Sequence, residues 1–164
     1  NARSVVYALT VQRIQPQGMI HATEIKRTEM PVYDSNEQKP FEFIDSITDT
    51  SSSSYKLLHS KGVRYEQDGT IRIAGYIAAA MGQSYGQVGD KFQVELSTGK
   101  WLQVIIADSK RNCDTAGGQG YVGKNGHTLE MIVWNAPASA RGNKCYGAIA
   151  PYKGTIIRIL KETK

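Results

Sequence analysis

The sequence predicts a mainly β protein, either a sandwich or a small barrel of short strands. Three observations carry that expectation. Apolar and β-branched residues alternate in short runs separated by turn residues, a period of two rather than 3.6. Glycine is abundant, at 16 of 164 residues, and supplies turns. Tyrosine (9) outnumbers phenylalanine (3), a mix that suits half-buried strands. At 164 residues with 40% hydrophobic content, the chain is long enough to bury a core without crosslinks and fits one domain, or one domain plus an arm.

Taken in order, Val5, Tyr7, Leu9 and Val11 alternate as a strand would. Gln15-Pro16-Gln17-Gly18 then makes a turn, and residues 19–28 read as a second strand returning as a hairpin. Residues 30–40 are polar and looped. Phe41 to Ile47 reads as either a short helix or a strand. Ser51 to Ser54 is a run of four serines, the composition of a linker. Beyond it, Val63-Arg64-Tyr65 is a short strand, residues 71–81 a longer apolar stretch, and residues 92–96 and 101–107 a hairpin around Ser97-Thr98-Gly99-Lys100. Residues 113–126 form a long loop with five glycines. Leu129 to Trp134 is a strand. Residues 135–142 make one helical turn, with Asn135 as its cap and Gly142 at its end. Residues 155–160 close the chain as a strand. The expected division is therefore 1–54, a β-hairpin arm with a serine-rich linker, and 55–164, a compact β domain. Its expected core is Ile73, Ile77, Phe92, Val94, Leu96, Val104, Ile106, Met131, Val133, Ile157 and Ile159, placed by strict alternation.

Composition narrows the function classes. Lysine plus arginine (20) exceeds aspartate plus glutamate (15), a formal net charge of +5, which suits an anionic partner. The basic residues are scattered, with no run longer than two, so no nucleic-acid partner is expected. No apolar run approaches the roughly 20 residues of a membrane-spanning helix. The chain begins with Asn1 rather than Met, which leaves room for a leader or anchor ahead of it. Two cysteines and three widely separated histidines give no zinc-site spacing, and no metal or cofactor is expected.

Five pieces of the second part, in order, resemble the double-psi β-barrel families: the three-aspartate domain of secreted cell-wall proteins, the membrane-bound lytic transglycosylase A family and, more remotely, rare lipoprotein A and the expansins. These pieces are Ile77-Ala-Ala-Ala-Met81, Val88-Gly-Asp-Lys-Phe-Gln-Val94, Val104-Ile-Ile-Ala-Asp108, Gly126-His-Thr-Leu-Glu-Met-Ile-Val133 and Gly154-Thr-Ile-Ile-Arg-Ile-Leu160. The likeness covers roughly residues 63–160 and implies a small six-stranded double-psi barrel. The family's compact "DTGG" loop is stretched here, and Asp114-Thr115-Ala116-Gly117-Gly118 echoes it with one insertion. Asp108 and Asp114 therefore compete for one family position. Asp108 is favoured because it directly ends an apolar strand. Where the family has a strand aspartate, this chain has Glu130.

The resemblance implies a function: cleavage of peptidoglycan glycan strands by a lytic-transglycosylase reaction. Glu130 is then the expected proton donor and Asp108 its partner, since glycoside cleavage needs an acid at the leaving oxygen and stabilisation of positive charge on the sugar. Asp114, His127, Tyr85, Tyr121 and Trp134 are the expected substrate-binding residues, the aromatics by stacking on sugar rings. The partner is peptidoglycan or another anionic wall glycan, and the expected location is extracellular, at the cell wall or on a virion. In an exported chain, Cys113 and Cys145 are expected to pair. The alternative is a non-catalytic wall-binding or assembly module of a phage tail or conjugation apparatus.

Overall fold

A computed structural model describes residues 25–163. The expected strand at residues 5–11, its turn at 15–18 and residues 19–24 lie outside the described residues. The protein is mainly β, as its alternation predicts. The strands are β1 (Lys26–Met30), β2 (Phe41–Phe43), β3 (Val63–Tyr65), β4 (Ile71–Ile73), β5 (Tyr76–Gly82), β6 (Lys91–Leu96), β7 (Trp101–Lys110), β8 (Glu130–Val133) and β9 (Ile156–Thr163). Two short helices accompany them, α1 (Ser53–Leu58) and α2 (Ala138–Asn143).

All nine strands belong to one mixed sheet; seven of them, β3–β9, fall in residues 55–164, where six are expected. The main path runs β1-β9-β6-β7-β5-β4-β3, and β8 joins β5 to β2. Most pairs are antiparallel. The β5–β7 and β2–β8 pairs are parallel. Ahead of residue 55, β1 overlaps the strand expected over 19–28 and pairs with β9, and β2 occupies three residues; the one extra strand arises because the 71–81 stretch splits into β4 and β5 at Ala74-Gly75. Both turn residues have positive φ, 51° and 88°, the backbone of a tight two-residue hairpin turn. The ambiguous Phe41–Ile47 segment is both things in succession, β2 followed by a 3-10 turn over Ile44–Ser46.

The two faces of the sheet bury two apolar clusters. On the first lie Ile77, Ala79 and Met81 of β5, Phe92, Val94 and Leu96 of β6, Leu102, Val104 and Ile106 of β7, and Met131 and Val133 of β8. On the second lie Ala78 and Ala80 of β5, Ile71 and Ile73 of β4, Ile105 and Ala107 of β7, and Ile132 of β8, covered by Leu58 of α1 and by Ile44. Strand β5 is thus buried on both sides, which explains its unbroken small apolar run. Ten of the eleven expected core residues are buried; Ile157 is 54% exposed. A bulge in the β6–β9 pairing pairs Glu95 with Arg158 and Leu96 with Ile156, skipping Ile157. Ile156 takes the inward place, and strict alternation fails by one residue.

The serine run is not a linker. Ser52 caps α1, its hydroxyl accepting from the Tyr55 N–H at 3.0 Å. The Asp49 carboxylate accepts from both the N–H and the hydroxyl of Ser51. Ser54 is 7% exposed and donates to Asp108. Local side-chain caps of this kind turn a polar run into a helix start. Strands β1 and β2, which precede the run, lie in the same sheet as those that follow it.

Two further expectations are corrected. Helix α2 begins after Pro137, and Gly142 lies inside it; the chain leaves through Lys144 in the left-handed region. Asn135 instead accepts from Arg141 at 2.5 Å. Cys113 and Cys145 are both free, the first exposed on the 112–114 turn and the second buried. Among the described residues no helix is long and apolar enough to cross a membrane.

Candidate functional site

A charged cleft of about 700 Å³ opens beside the β5, β7 and β8 residues Ala80, Asp108 and Glu130. Its position follows from register. In β5, Ala80 is paired with Asp108 of β7 on one side and with Glu130 of β8 on the other. Directly paired residues point to the same face of a sheet, so both carboxyls stand on the face that holds Ala80. Asp108 reaches that face only because the β5–β7 register shifts between Ala79 and Ala80. Without the bulge it would follow Val104 and Ile106 into the first core, and here the bulge re-aims it. Lys110, two residues on, shares its face.

A third carboxyl joins them. Glu42 is paired with Ile132 of β8, two residues beyond Glu130 and so on the same face. The sequence offered one sign of it: the alternation Phe41-Glu42-Phe43 sets a lone acid between two rings, and the Phe41 ring packs in the first core. Glu42, Asp108 and Glu130 all line the cleft, with Lys110, Arg111, Asp114, Lys124 and His127 around them.

The electrostatics divide the three acids. Burial is the largest influence on Glu42, and the charges of Glu130 and Asp108 add to it; together they push its pKa up to about 7. A Ser46 hydroxyl 3.4 Å away and the Lys110 charge oppose that rise and are the smaller effects. Asp108 accepts a 2.7 Å hydrogen bond from Ser54. Glu130 is ion-paired with Lys110 at 3.4 Å. Lys110, whose side chain is only 9% exposed, has its pKa lowered by burial despite the acids around it. His127 is lowered to about 4, first by burial and then by the Lys110 charge.

The expected site residues fall into two groups. Asp108, Glu130, Asp114 and His127 do share the cleft. Asp114 is held on the rim by Arg111 at 3.1 Å. His127 precedes β8 in a loop, so strand alternation does not turn it away from Glu130. The aromatics do not gather there. Tyr85 is 1% exposed, packed edge-on against Phe92 and Tyr121, and its hydroxyl donates to the Pro31 carbonyl. No face of it is open to stack on a sugar, which corrects the expectation that it binds substrate by stacking. Tyr121 packs between Tyr33 and Tyr85. Trp134 is exposed but lies at the other end of β8, with its ring edge towards Tyr65 and its N–H donating to the Glu66 carbonyl. Glu42 and Lys110 are cleft residues that sequence reasoning missed, as it missed the Ser54 hydroxyl that donates to Asp108.

Among the described residues no group of three or more histidine, cysteine, aspartate or glutamate side chains is arranged to hold a metal ion. No family model matches the chain, and no curated protein or solved structure matches it significantly.

Proposed function

We propose that this cleft cleaves the glycan strands of peptidoglycan by acid catalysis, in a reaction of the lytic transglycosylase type, with Glu42 as the proton donor. The observation that carries the reading is a carboxyl with a pKa of about 7 beside two other carboxyls in one open cleft. A general acid for glycoside cleavage must keep its proton near neutral pH, and a buried carboxyl among like charges does so. Glu130 had been the expected donor, but its partner is a cation, Lys110. Glu42 faces acids and burial instead.

In this scheme Glu42 gives its proton to the bridging oxygen as the glycosidic bond breaks. Asp108 and Glu130 stabilise the positive charge that develops on the sugar ring. The sugar's own 6-hydroxyl then closes on the anomeric carbon, and its proton returns to the carboxylate. No water is consumed, and the product ends in an anhydro sugar. A net charge of +5 suits approach to an anionic wall polymer. The double-psi arrangement, and a location at the cell wall or on a virion, belong to the same proposal. They rest on the ordered motifs from Ile77 to Leu160, and the parallel β5–β7 pairing within a mixed sheet is compatible with them.

Digestion of purified peptidoglycan, with mass analysis of the products, tests this. Anhydro-ended fragments are expected, and Glu42→Gln should lower their rate of release by about 10²–10⁴. Sedimentation with the wall and no fragments would replace the enzyme with a wall-binding module.

A further inference from the structure

We infer that Lys110 and His127 form a two-nitrogen subsite that binds a secondary amide on the ligand, an acetamido substituent, beside the carboxyl cluster. This rests on the cleft being a glycan site and adds which sugars it accepts.

The starting point is a pair of buried nitrogens whose hydrogen-bonding capacity the cleft leaves unused. Lys110 Nζ and His127 Nδ1 are both shielded from solvent, and neither has a hydrogen-bond partner among the described residues. Buried polar atoms in native proteins are nearly always satisfied, so each exception calls for a reason. Both residues line the same cleft, and Lys110 is close enough for its charge to disfavour protonation of His127. The ion pair of Lys110 with Glu130, at 3.4 Å, is longer than the roughly 2.7–2.9 Å of a charge-assisted hydrogen bond. An ammonium carries three N–H groups, which leaves donors for a ligand.

The surroundings select the ligand's chemistry. An anionic group placed at Lys110 would also meet Glu130 and stand near Glu42 and Asp108, and like charges at short range repel. A neutral acceptor avoids that cost. With a pKa of about 4, the His127 ring is uncharged at neutral pH and offers one donor nitrogen and one acceptor nitrogen. A secondary amide supplies the complement of the pair: a carbonyl oxygen for the Lys110 ammonium and an N–H for the His127 acceptor. The Gly123 backbone lies beside the imidazole. The Gly123 N–H donates to the His127 carbonyl at 2.9 Å, and a Cβ added at Gly123 would stand only 3.1 Å from Nε2.

Binding measured by calorimetry, without turnover, tests the subsite. The probes are a tri-N-acetylated amino-sugar trisaccharide and a plain glucose trisaccharide of the same linkage, in which hydroxyls replace the acetamido groups. The acetylated probe is expected to bind the native chain at least about ten-fold more tightly, a difference of the order of one or two hydrogen bonds. That preference should collapse in Lys110→Met and in His127→Ala. The second variant removes no charge partner of Glu130, so it keeps the test valid if the first fails to fold. Equal binding of the two probes, binding of neither, or a preference that survives in His127→Ala overturns the proposal. Preferential binding without cleavage of peptidoglycan would leave the subsite standing and remove only the catalytic reading.

Discussion

The hydroxyl of Ser54 donates a 2.7 Å hydrogen bond to Asp108. It ties the first turn of α1 to the bulged end of β7, and so ties the cover of the second core to the carboxyl cluster. Ser54→Ala leaves Asp108 without that donor in a partly buried setting. A loss of about 1.5–3 kcal/mol is expected, the usual size for a hydrogen bond to a charged group. Urea unfolding of the two chains checks it. An unchanged midpoint would mean that the Ser54–Asp108 hydrogen bond contributes nothing to stability.

Glu42 predicts a pH dependence that does not need a substrate. Its folded-state value, about 7, lies above the ordinary value of 4.5. Between those two pH values the folded chain holds a proton that the unfolded chain has released. The associated stability is fully present below about pH 4.5 and is lost as pH rises through about 7. Glu42→Gln removes this group's titration. The variant should therefore show a flatter stability profile from pH 5 to pH 8 and be more stable than the parent at pH 8. Thermal melts across that range decide it. Parallel profiles would show that Glu42 titrates normally and would take the proton-donor assignment with them.

The bulge in β9 makes two adjacent isoleucines unequal. Ile156 is 3% exposed and Ile157 is 54% exposed. Ile156→Ala should cost about 2–5 kcal/mol, as core truncations of this type do. Ile157→Ala should stay within about 0.5 kcal/mol. Chemical denaturation of both variants compares them directly, and the reverse order would contradict the register.

The cysteines predict a labelling pattern. Cys113 is free and exposed, and Cys145 is free and buried. Alkylation of the native chain followed by peptide mass analysis should modify Cys113 alone, and Cys145 should react only after denaturation. Recovery of a Cys113–Cys145 crosslinked peptide from the non-reduced chain would overturn the assignment.

The sequence by itself determined the fold class and most of the core. Alternation in β6 and β7 places Val94, Val104 and Ile106 inside because side-chain direction has a period of two and needs no knowledge of partners. It also placed Asp108 and Glu130 near strand ends, and the structure brings them into one cleft. Register was left to the tertiary structure. A bulge shifts every later side chain to the other face, and two bulges do so here: one turns Asp108 out of the first core, and the other exchanges Ile157 for Ile156. Glu42 was hidden for a related reason. A three-residue strand carries too little periodicity to read, and its neighbour β8 lies about 90 residues away in the chain. Only the parallel β2–β8 pairing sets Glu42 on the face of Glu130, and only the burial and charge assembled there raise its pKa. The serines misled in the opposite direction. Their composition is that of a flexible linker, but hydrogen bonds to Asp49, Tyr55 and Asp108 hold them in place, and the last of these partners is one that composition cannot see.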